Sequence, residues 1–359
     1  MTEREGLEIV RALDELERER GVPKAVLLEA LEAALVSAFK RHYGSSQNVR
    51  VNIDPETGRI LVLARKNVVE EAEDPKTEIS LEEARQIDPN YELGDIVEGE
   101  VTPREFGRIA AQTAKQVVVQ RIREAERGVI YEEFSEREGD VVTGTVGRID
   151  QRNVIVDLGK TEASLPPHEQ IRNETYETGM RIKCYVVEVR KTGRGPLVML
   201  SRTHPGLLRR LLELEVPEIS EGVVEIKAIA REAGARSKVA VAAEDPNVDP
   251  VGACVGPRGA RIQAIVSELA GEKIDVIPWD EDHSAFIANA LSPAKVLEVR
   301  PDFLSKVATV IVPDYQLSLA IGKEGQNARL AAKITGWKID IKSESQVGLV
   351  SMPRFEIDF

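Results

Sequence analysis

The feature that most constrains this chain of 359 residues is a short motif that occurs twice, 66 residues apart. Each copy is an apolar residue followed by G-x-x-G, at 255–260 and again at 321–326. A helical pattern and a similar short strand follow each copy, the strands at 271–276 and 336–341. A lone G-x-x-G is a weak signal because glycine pairs often mark only turns. The same motif and strand at similar spacing indicate an internal structural repeat.

Two glycines between two helices leave a loop without side chains at either end. A nucleic-acid backbone can approach such a loop closely, and the amides and the N-terminus of the next helix then face its phosphates. The pattern around each motif is helix, two strands, helix, glycine loop, helix and strand. This order resembles the prokaryotic (type II) KH domain, whose G-x-x-G loop clamps about four nucleotides of RNA. The alternative is a helical hairpin in which the glycines only tighten the turn.

The KH resemblance predicts RNA contacts in both loops and in the helices that follow them. The predicted contacts are Gly256, Pro257, Arg258, Gly259, Arg261, Gly322, Lys323, Glu324, Gly325, Gln326, Asn327 and Arg329. Glu324 should weaken the attraction of the second loop for phosphate, so that loop is expected to rely on its glycines, Gln326 and Asn327. We expect Gly256→Asp and Gly322→Asp to reduce RNA binding while leaving the folds largely intact.

Between residues 139 and 201 the pattern changes to five short alternating strands separated by glycine, which predicts a small barrel of the OB-fold type. The strings EGDVVTGTV, VDLGKTEASLPPHE and GMRIKCYVVEV resemble the S1 subclass of OB-folds, which bind single-stranded RNA. Aromatic residues make up only 4% of the chain, so extensive base stacking is not expected. The predicted RNA contacts of this barrel are the cations Arg148, Lys160, Arg190 and Arg202.

The N-terminal part reads as an α+β domain. Helical periodicity covers 7–16, 23–43 and 108–127, and the runs 49–53 and 59–63 alternate around a turn, which predicts a hairpin. Residues 1–134 carry 19 basic and 28 acidic side chains, a net charge of −9, whereas the remainder carries −4. This acidic N-terminal part of the chain is suited to binding a basic protein partner, or its charges only form a solvated surface. The overall charge of −13 argues against RNA binding by bulk electrostatics.

Several function classes receive no support from the sequence. Four scattered histidines and two cysteines outside any C-x-x-C pair do not predict a metal site. The G-K pair at 322–323 lacks the remainder of a nucleotide-binding P-loop. We therefore expect no enzyme activity, no cofactor and no metal. The N-terminus lacks a signal-peptide pattern and no run is long enough to span a bilayer, so we expect a cytoplasmic protein without membrane contact.

The order of the domains, with the strings RIAAQTAKQV, DPVGACVGPRGARIQ and AIGKEGQNARLA, closely resembles NusA, a family of bacterial transcription elongation factors. The resemblance implies a multidomain α+β protein. Its expected parts are an N-terminal RNA polymerase-binding domain at 1–134, an S1 (OB-fold) domain at 135–202, KH domains at 203–282 and 283–345, and a short tail at 346–359.

The resemblance also implies a function and partners. The N-terminal domain would dock on core RNA polymerase near the RNA exit channel, with Arg104, Lys115 and Arg121 as candidate contacts. The S1 and KH domains would hold nascent single-stranded RNA and so modulate pausing, termination and antitermination. Other antitermination factors and ribosomal proteins are further expected partners, and a monomer is expected.

Two alternatives stay open on the residues alone. KH and S1 modules also occur in ribosomal-RNA-binding proteins that assist ribosome assembly. RNA-degrading enzymes also contain KH and S1 modules, which bind their substrate. Such an enzyme needs a catalytic domain with clustered acidic ligands, and the sequence does not indicate one.

Overall fold

The computed structural model describes residues 3–20, 23–43, 48–103, 106–193 and 195–348. The chain divides into two compact units, Met1–Val129 and Ile130–Phe359. The predicted contact Arg104 lies outside the described residues, as does most of the predicted tail, from residue 349 onward.

The first unit is built from helices and one mixed sheet. Its elements are α1 (Glu3–Arg20), α2 (Lys24–Tyr43), β1 (Val49–Ile53), β2 (Ile60–Val69), β3 (Glu78–Ser80), α3 (Leu81–Ile87), β4 (Ile96–Glu100) and α4 (Phe106–Ser135), the last of which continues into the second unit. Strand β2 pairs antiparallel with β1 and β4 and parallel with β3. The predicted helices and the β1–β2 hairpin are confirmed, whereas β3, α3 and β4 were not predicted.

The core of the first unit forms where α2 and α4 cover the sheet. Leu31, Leu35 and Phe39 repeat on one face of α2 and are buried together with Val51 of β1 and Phe106 of α4. The rings of Phe39 and Phe106 meet edge to face, with centroids 5.5 Å apart. Helical spacing of apolar residues therefore decides which face of α2 packs on the sheet.

The second unit begins with a closed five-stranded barrel, as predicted. Its strands are β5 (Val141–Asp150), β6 (Asn153–Asp157), β7 (Glu162–Leu165), β8 (Arg181–Thr192) and β9 (Gly195–Ser201). They are ordered β5-β6-β7-β9-β8, with β7 and β9 parallel and the other pairs antiparallel. Alternate residues point inward, and the barrel interior is filled by valine, leucine and isoleucine side chains.

Two repeats with the same topology follow the barrel. The first consists of α5 (Pro205–Glu215), α6 (Pro217–Ser220), β10 (Val224–Glu232), β11 (Arg236–Ala243), α7 (Pro250–Val255), α8 (Ala260–Glu268) and β12 (Lys273–Pro278). The second consists of α9 (His283–Ala290), β13 (Glu298–Asp302), β14 (Val307–Val312), α10 (Leu317–Ile321), α11 (Gln326–Thr335) and β15 (Lys338–Ser343), followed by α12 (Glu344–Val347). In each sheet the first two strands are antiparallel and the third is parallel to the second.

The two repeats pack against each other, as predicted. Leu330, Ala331 and Ile334 of α11 share one buried cluster with Ala240 of β11. The buried ammonium group of Lys238, also on β11, donates a hydrogen bond to the carbonyl oxygen of residue 292 at 2.7 Å. The distance between the two glycine loops is therefore set by a hydrophobic core and not by a flexible linker.

Candidate nucleic-acid interface

The two glycine loops, the first at 256–259 and the second at 322–325, have the same backbone conformation. The opening glycines have φ, ψ of 73°, 174° at Gly256 and 75°, 169° at Gly322. The third residues are left-handed at 55°, 26° for Arg258 and 55°, 25° for Glu324. Two different sequences thus adopt one geometry, including a left-handed residue that is not glycine, and such conformations are often kept for function.

The opening glycine of each loop is required by shape. Its φ and ψ fall in a region that essentially only glycine populates. A Cβ at Gly256 would lie 2.6 Å from Cγ of Arg261, and one at Gly322 would lie 2.8 Å from the backbone nitrogen of Asn327. The expectation that Gly256→Asp and Gly322→Asp leave the folds largely intact is therefore wrong, because both side chains would strain the backbone and collide with the next helix.

The closing glycine of each loop faces open space. Gly259 and Gly325 are left-handed and precede α8 and α11, and a Cβ at either position would meet no atom within 4 Å. Asparagine and aspartate tolerate this conformation better than other residues. The outer surface of each loop is thus accessible to an RNA backbone, next to the positive end of a helix dipole.

Each loop carries one cation that points into solvent. Arg258 and Lys323 are exposed, and within the described parts of the chain neither makes an ion pair or a side-chain hydrogen bond. An exposed guanidinium or ammonium group beside helix N-terminal amides is suited to phosphate. Glu324 is exposed in the second loop, so the formal charges of that loop cancel.

The predicted contacts in the following helices have internal partners. Arg261 donates to Glu218 Oε2 at 2.8 Å and to the carbonyl oxygen of Ala253 at 2.6 Å. Arg329 donates to Glu232 Oε1 at 2.6 Å and Gln326 donates to Glu232 Oε2 at 3.0 Å. The hydrogen bond from Arg329 lowers the pKa of Glu232. These three side chains stabilise the loops, and they would have to leave a carboxylate in order to bind phosphate.

The prediction of Asn327 as an RNA contact is wrong, because this residue is buried. Its side chain is buried, and its amide nitrogen donates to the carbonyl oxygens of Leu291 at 2.9 Å and Ala320 at 3.1 Å. It therefore ties α11 to α9 and α10 beneath the second loop. A polar residue two positions after an exposed loop gave no sign of burial in the sequence.

Three of the predicted barrel cations are exposed but paired with carboxylates. Arg148 forms a bidentate pair with Glu162, at 2.6 and 2.8 Å, and this hydrogen bonding raises the pKa of Arg148. Similar ion pairs of 2.6–2.7 Å join Arg190 to Glu188 and Lys160 to Glu133. Exposed pairs are weak and open readily, so these cations can reach RNA only by exchanging one anion for another.

Arg202 is a structural residue, and its prediction as an RNA contact is wrong. Its side chain is 1% exposed and forms an ion pair with buried Glu174. Further hydrogen bonds reach the carbonyl oxygen of Lys183 at 2.7 Å and that of Glu268, at the end of α8, at 2.8 Å. The pairing with Glu174 outweighs desolvation and raises the pKa of Arg202. Arg202 thus links the barrel to the first repeat.

A second group of contacts, which the sequence did not reveal, also joins the barrel to the first repeat. Tyr185 of β8 stacks on His204, with ring centroids 4.4 Å apart and an interplanar angle of 9°. Tyr185 is therefore committed to an internal contact and does not offer a free stacking surface. Beside it, the buried pair of Arg231 and Glu272 is held at 2.9 Å, and Arg231 also donates to the carbonyl oxygen of His204.

The candidate polymerase contacts do not form a cluster within the first unit. Lys115 is an exposed residue of α4, and Arg121, six residues further along the same helix, pairs with Glu124 at 3.0 Å. No group of His, Cys, Asp or Glu able to hold a metal ion occurs among the residues with defined positions. Among the same residues, no helix is long and apolar enough to cross a membrane.

Comparison with known protein families assigns each part of the chain. The family models that match describe a NusA N-terminal domain over residues 8–128, an S1 RNA binding domain over 135–199, a NusA-like first KH domain over 202–279 and a NusA-like second KH domain over 283–348. The predicted fold class is thus confirmed.

Curated relatives match along nearly the whole chain. The transcription termination/antitermination protein NusA of Halalkalibacterium halodurans is 62% identical over 94% of this chain and 89% of its own length. The protein of the same name from Bacillus subtilis is 62% identical, over 94% of this chain and 91% of the relative. That of Thermus thermophilus is 49% identical, over 92% of this chain and 89% of the relative. The chain therefore belongs to the NusA family of transcription termination/antitermination proteins.

Proposed function

We propose that this chain is an RNA-binding transcription elongation factor that docks on RNA polymerase and contacts nascent RNA to modulate pausing, termination and antitermination. The proposal is supported by the names of its relatives and by two glycine loops of one backbone geometry on a shared core. In this proposal residues 1–134 contact the polymerase, and 135–202, 203–282 and 283–345 bind RNA.

The proposed mechanism is tethering. Attaching an RNA-binding surface next to the RNA exit channel makes RNA capture an intramolecular event, with an effective concentration that can reach the millimolar range. Two exposed cations and two open glycines would then suffice, although the chain as a whole is acidic. In this mechanism RNA is captured because the binding surface is held close to the emerging transcript, and not because the protein has a positive net charge.

We further propose that the protein acts without catalysis, cofactor or metal, as a cytoplasmic monomer. Other antitermination factors and ribosomal proteins are proposed as additional partners. Incubating a labelled RNA with the protein and Mg²⁺ tests the first point, because RNA cleavage that follows the protein through purification would contradict it.

Single-round transcription by the cognate polymerase on a template with a hairpin pause tests the main proposal. The wild type is compared with Gly259→Asp/Gly325→Asp, which places two carboxylates on the open side of the loops. Gly259→Asn/Gly325→Asn is the matched control, because asparagine has nearly the same shape and the same tolerance of the left-handed conformation without the charge.

The expected result is that the wild type lengthens the pause, the Asn variant largely keeps this effect and the Asp variant loses most of it. If the wild type neither changes the pause lifetime nor comigrates with core polymerase, the proposal fails. Recovery with pre-ribosomal particles in that case would favour the ribosome-assembly alternative.

A further inference from the structure

The second repeat exposes a tyrosine and a leucine on the helical segment that leads into its glycine loop. Tyr315 is 79% exposed and Leu319 is 45% exposed. Tyr315 lies in a short 3-10 turn, Asp314–Gln316, that leads directly into α10, and Ser318 and Leu319 follow it at i+3 and i+4, which places these three side chains on one face. Gly322 ends α10 and opens the second loop, and the seven residue steps from Tyr315 to Gly322 span about 10 Å between α-carbons. The exposed face of this segment, here called the 315–322 face, therefore runs directly into the second loop.

The first repeat has no such surface at the corresponding positions. Asp249, Gly252 and Ala253 stand where the second repeat has Tyr315, Ser318 and Leu319. The Asp249 side chain also caps α7 by accepting a hydrogen bond from the amide of Val251 at 3.1 Å. The two loops share their backbone geometry, but only the second is approached along an aromatic and apolar face.

The loops differ in charge in the opposite sense. The first loop carries Arg258 and no acid, whereas the second carries Lys323 and Glu324. Phosphate attraction is therefore weaker at the second loop, and a strand that binds both loops needs another source of affinity there. Stacking of a base on an aromatic ring supplies such affinity without net charge.

We propose that Tyr315 is a stacking platform for one base of the single-stranded RNA whose backbone passes the second loop, with Leu319 completing the apolar surface. This inference rests on the proposed RNA-binding function. The KH loop clamps about four nucleotides, so a base of the same strand can reach a ring on the segment that leads into that loop. The first repeat then holds RNA mainly through phosphate and the second mainly through a base.

The test compares full-length wild type, Tyr315→Ala and Tyr315→Phe in binding a fluorescently labelled single-stranded RNA at several salt concentrations. Loss of one base stack corresponds to about 5- to 150-fold weaker binding. We expect Tyr315→Ala to fall in this range with an unchanged salt slope, because no charge is removed. Tyr315→Phe retains the ring and is expected to bind within about twofold of wild type.

A second measurement identifies the contact directly. RNAs with 2-aminopurine at successive positions are expected to include one whose fluorescence is quenched by the wild type and by Tyr315→Phe but not by Tyr315→Ala. Wild-type RNA affinity in Tyr315→Ala overturns the inference, even if that variant loses its effect on pausing, because the face would then contact a protein. Absence of RNA binding by the wild type would instead refute the proposed function itself.

Discussion

Arg258 and Glu324 occupy the same position of two superimposable loops, and exchanging their charges tests whether the loops bind phosphate. Both residue types already adopt φ of 55° at this position, so Arg258→Glu and Glu324→Arg should leave the backbone unchanged. Within the described parts of the chain, neither side chain forms a hydrogen bond or an ion pair, although Glu324 interacts electrostatically with Arg329 and helps to raise the pKa of that arginine. We expect Arg258→Glu to weaken RNA binding and Glu324→Arg to strengthen it.

The magnitude follows from the exposure of the two side chains. A unit charge about 5 Å from a phosphate in a medium of dielectric constant about 80 interacts by about 0.8 kcal/mol. Each substitution changes the charge by two, so the dissociation constant should shift about 15-fold at low salt. Each phosphate contact contributes about 0.7 to the salt slope for a single strand. The slope should therefore fall by about 0.7 in Arg258→Glu and rise by about 0.7 in Glu324→Arg.

The double variant Arg258→Glu/Glu324→Arg is the control, because its net charge equals that of the wild type. Fluorescence anisotropy with a single-stranded RNA long enough to reach both loops, from 50 to 300 mM salt, measures all four proteins. If the two loops bind one strand, the double variant should return to within a few-fold of wild-type affinity. Equal weakening by both single variants, or no change in either, would refute phosphate binding at this position.

Three further predictions concern stability and reactivity. Gly256→Ala should lower the free energy of unfolding by about 2 kcal/mol and Gly259→Ala by about 1 kcal/mol in urea denaturation, because only the first φ, ψ pair is restricted to glycine. Arg202→Ala should cost about 3–5 kcal/mol in the same assay, since it leaves Glu174 buried without its cation. Burial raises the pKa of Cys184 to about 12 and that of Cys254 to about 11, so neither thiol should react with iodoacetamide at pH 8 unless urea is added. Because both pKa values are raised on folding, the stability that they contribute is complete below the unfolded value of about 8.5 and declines as pH rises through 11 to 12.

The regular parts of the fold were predictable because their signals are local. Alternating strands between glycines gave the five barrel strands, and the repeated G-x-x-G gave both KH repeats with their order of helices and strands. The segment between β2 and α4 was missed because β3 and α3 span only three and seven residues. Elements this short carry too few residues for a periodic pattern to emerge.

The candidate site was predictable at the loops and not around them. Glycine spacing located Arg258 and Lys323, which are exposed. Arg202 and Asn327 looked equally suitable in the sequence, but their burial depends on partners such as Glu174, 28 residues before Arg202, and Leu291, 36 residues before Asn327. Partners that are distant in the sequence decide whether a polar residue is exposed at the surface or buried and hydrogen-bonded in the core. No local sequence pattern reveals such partners.

If RNA binds as proposed, the shared core between the repeats would allow an acidic protein to hold it through few cations. Binding at one loop brings the second within reach at a separation fixed by packing, so the second contact costs little additional entropy. Glu232 of the first repeat extends this coupling to the second loop, because it holds both Arg329 and Gln326 of α11. Arg329 in turn donates to the carbonyl oxygen of Glu324 inside that loop, at 3.1 Å. The geometry of the second loop therefore depends on a carboxylate from the first repeat, so the two loops are structurally coupled and not independent.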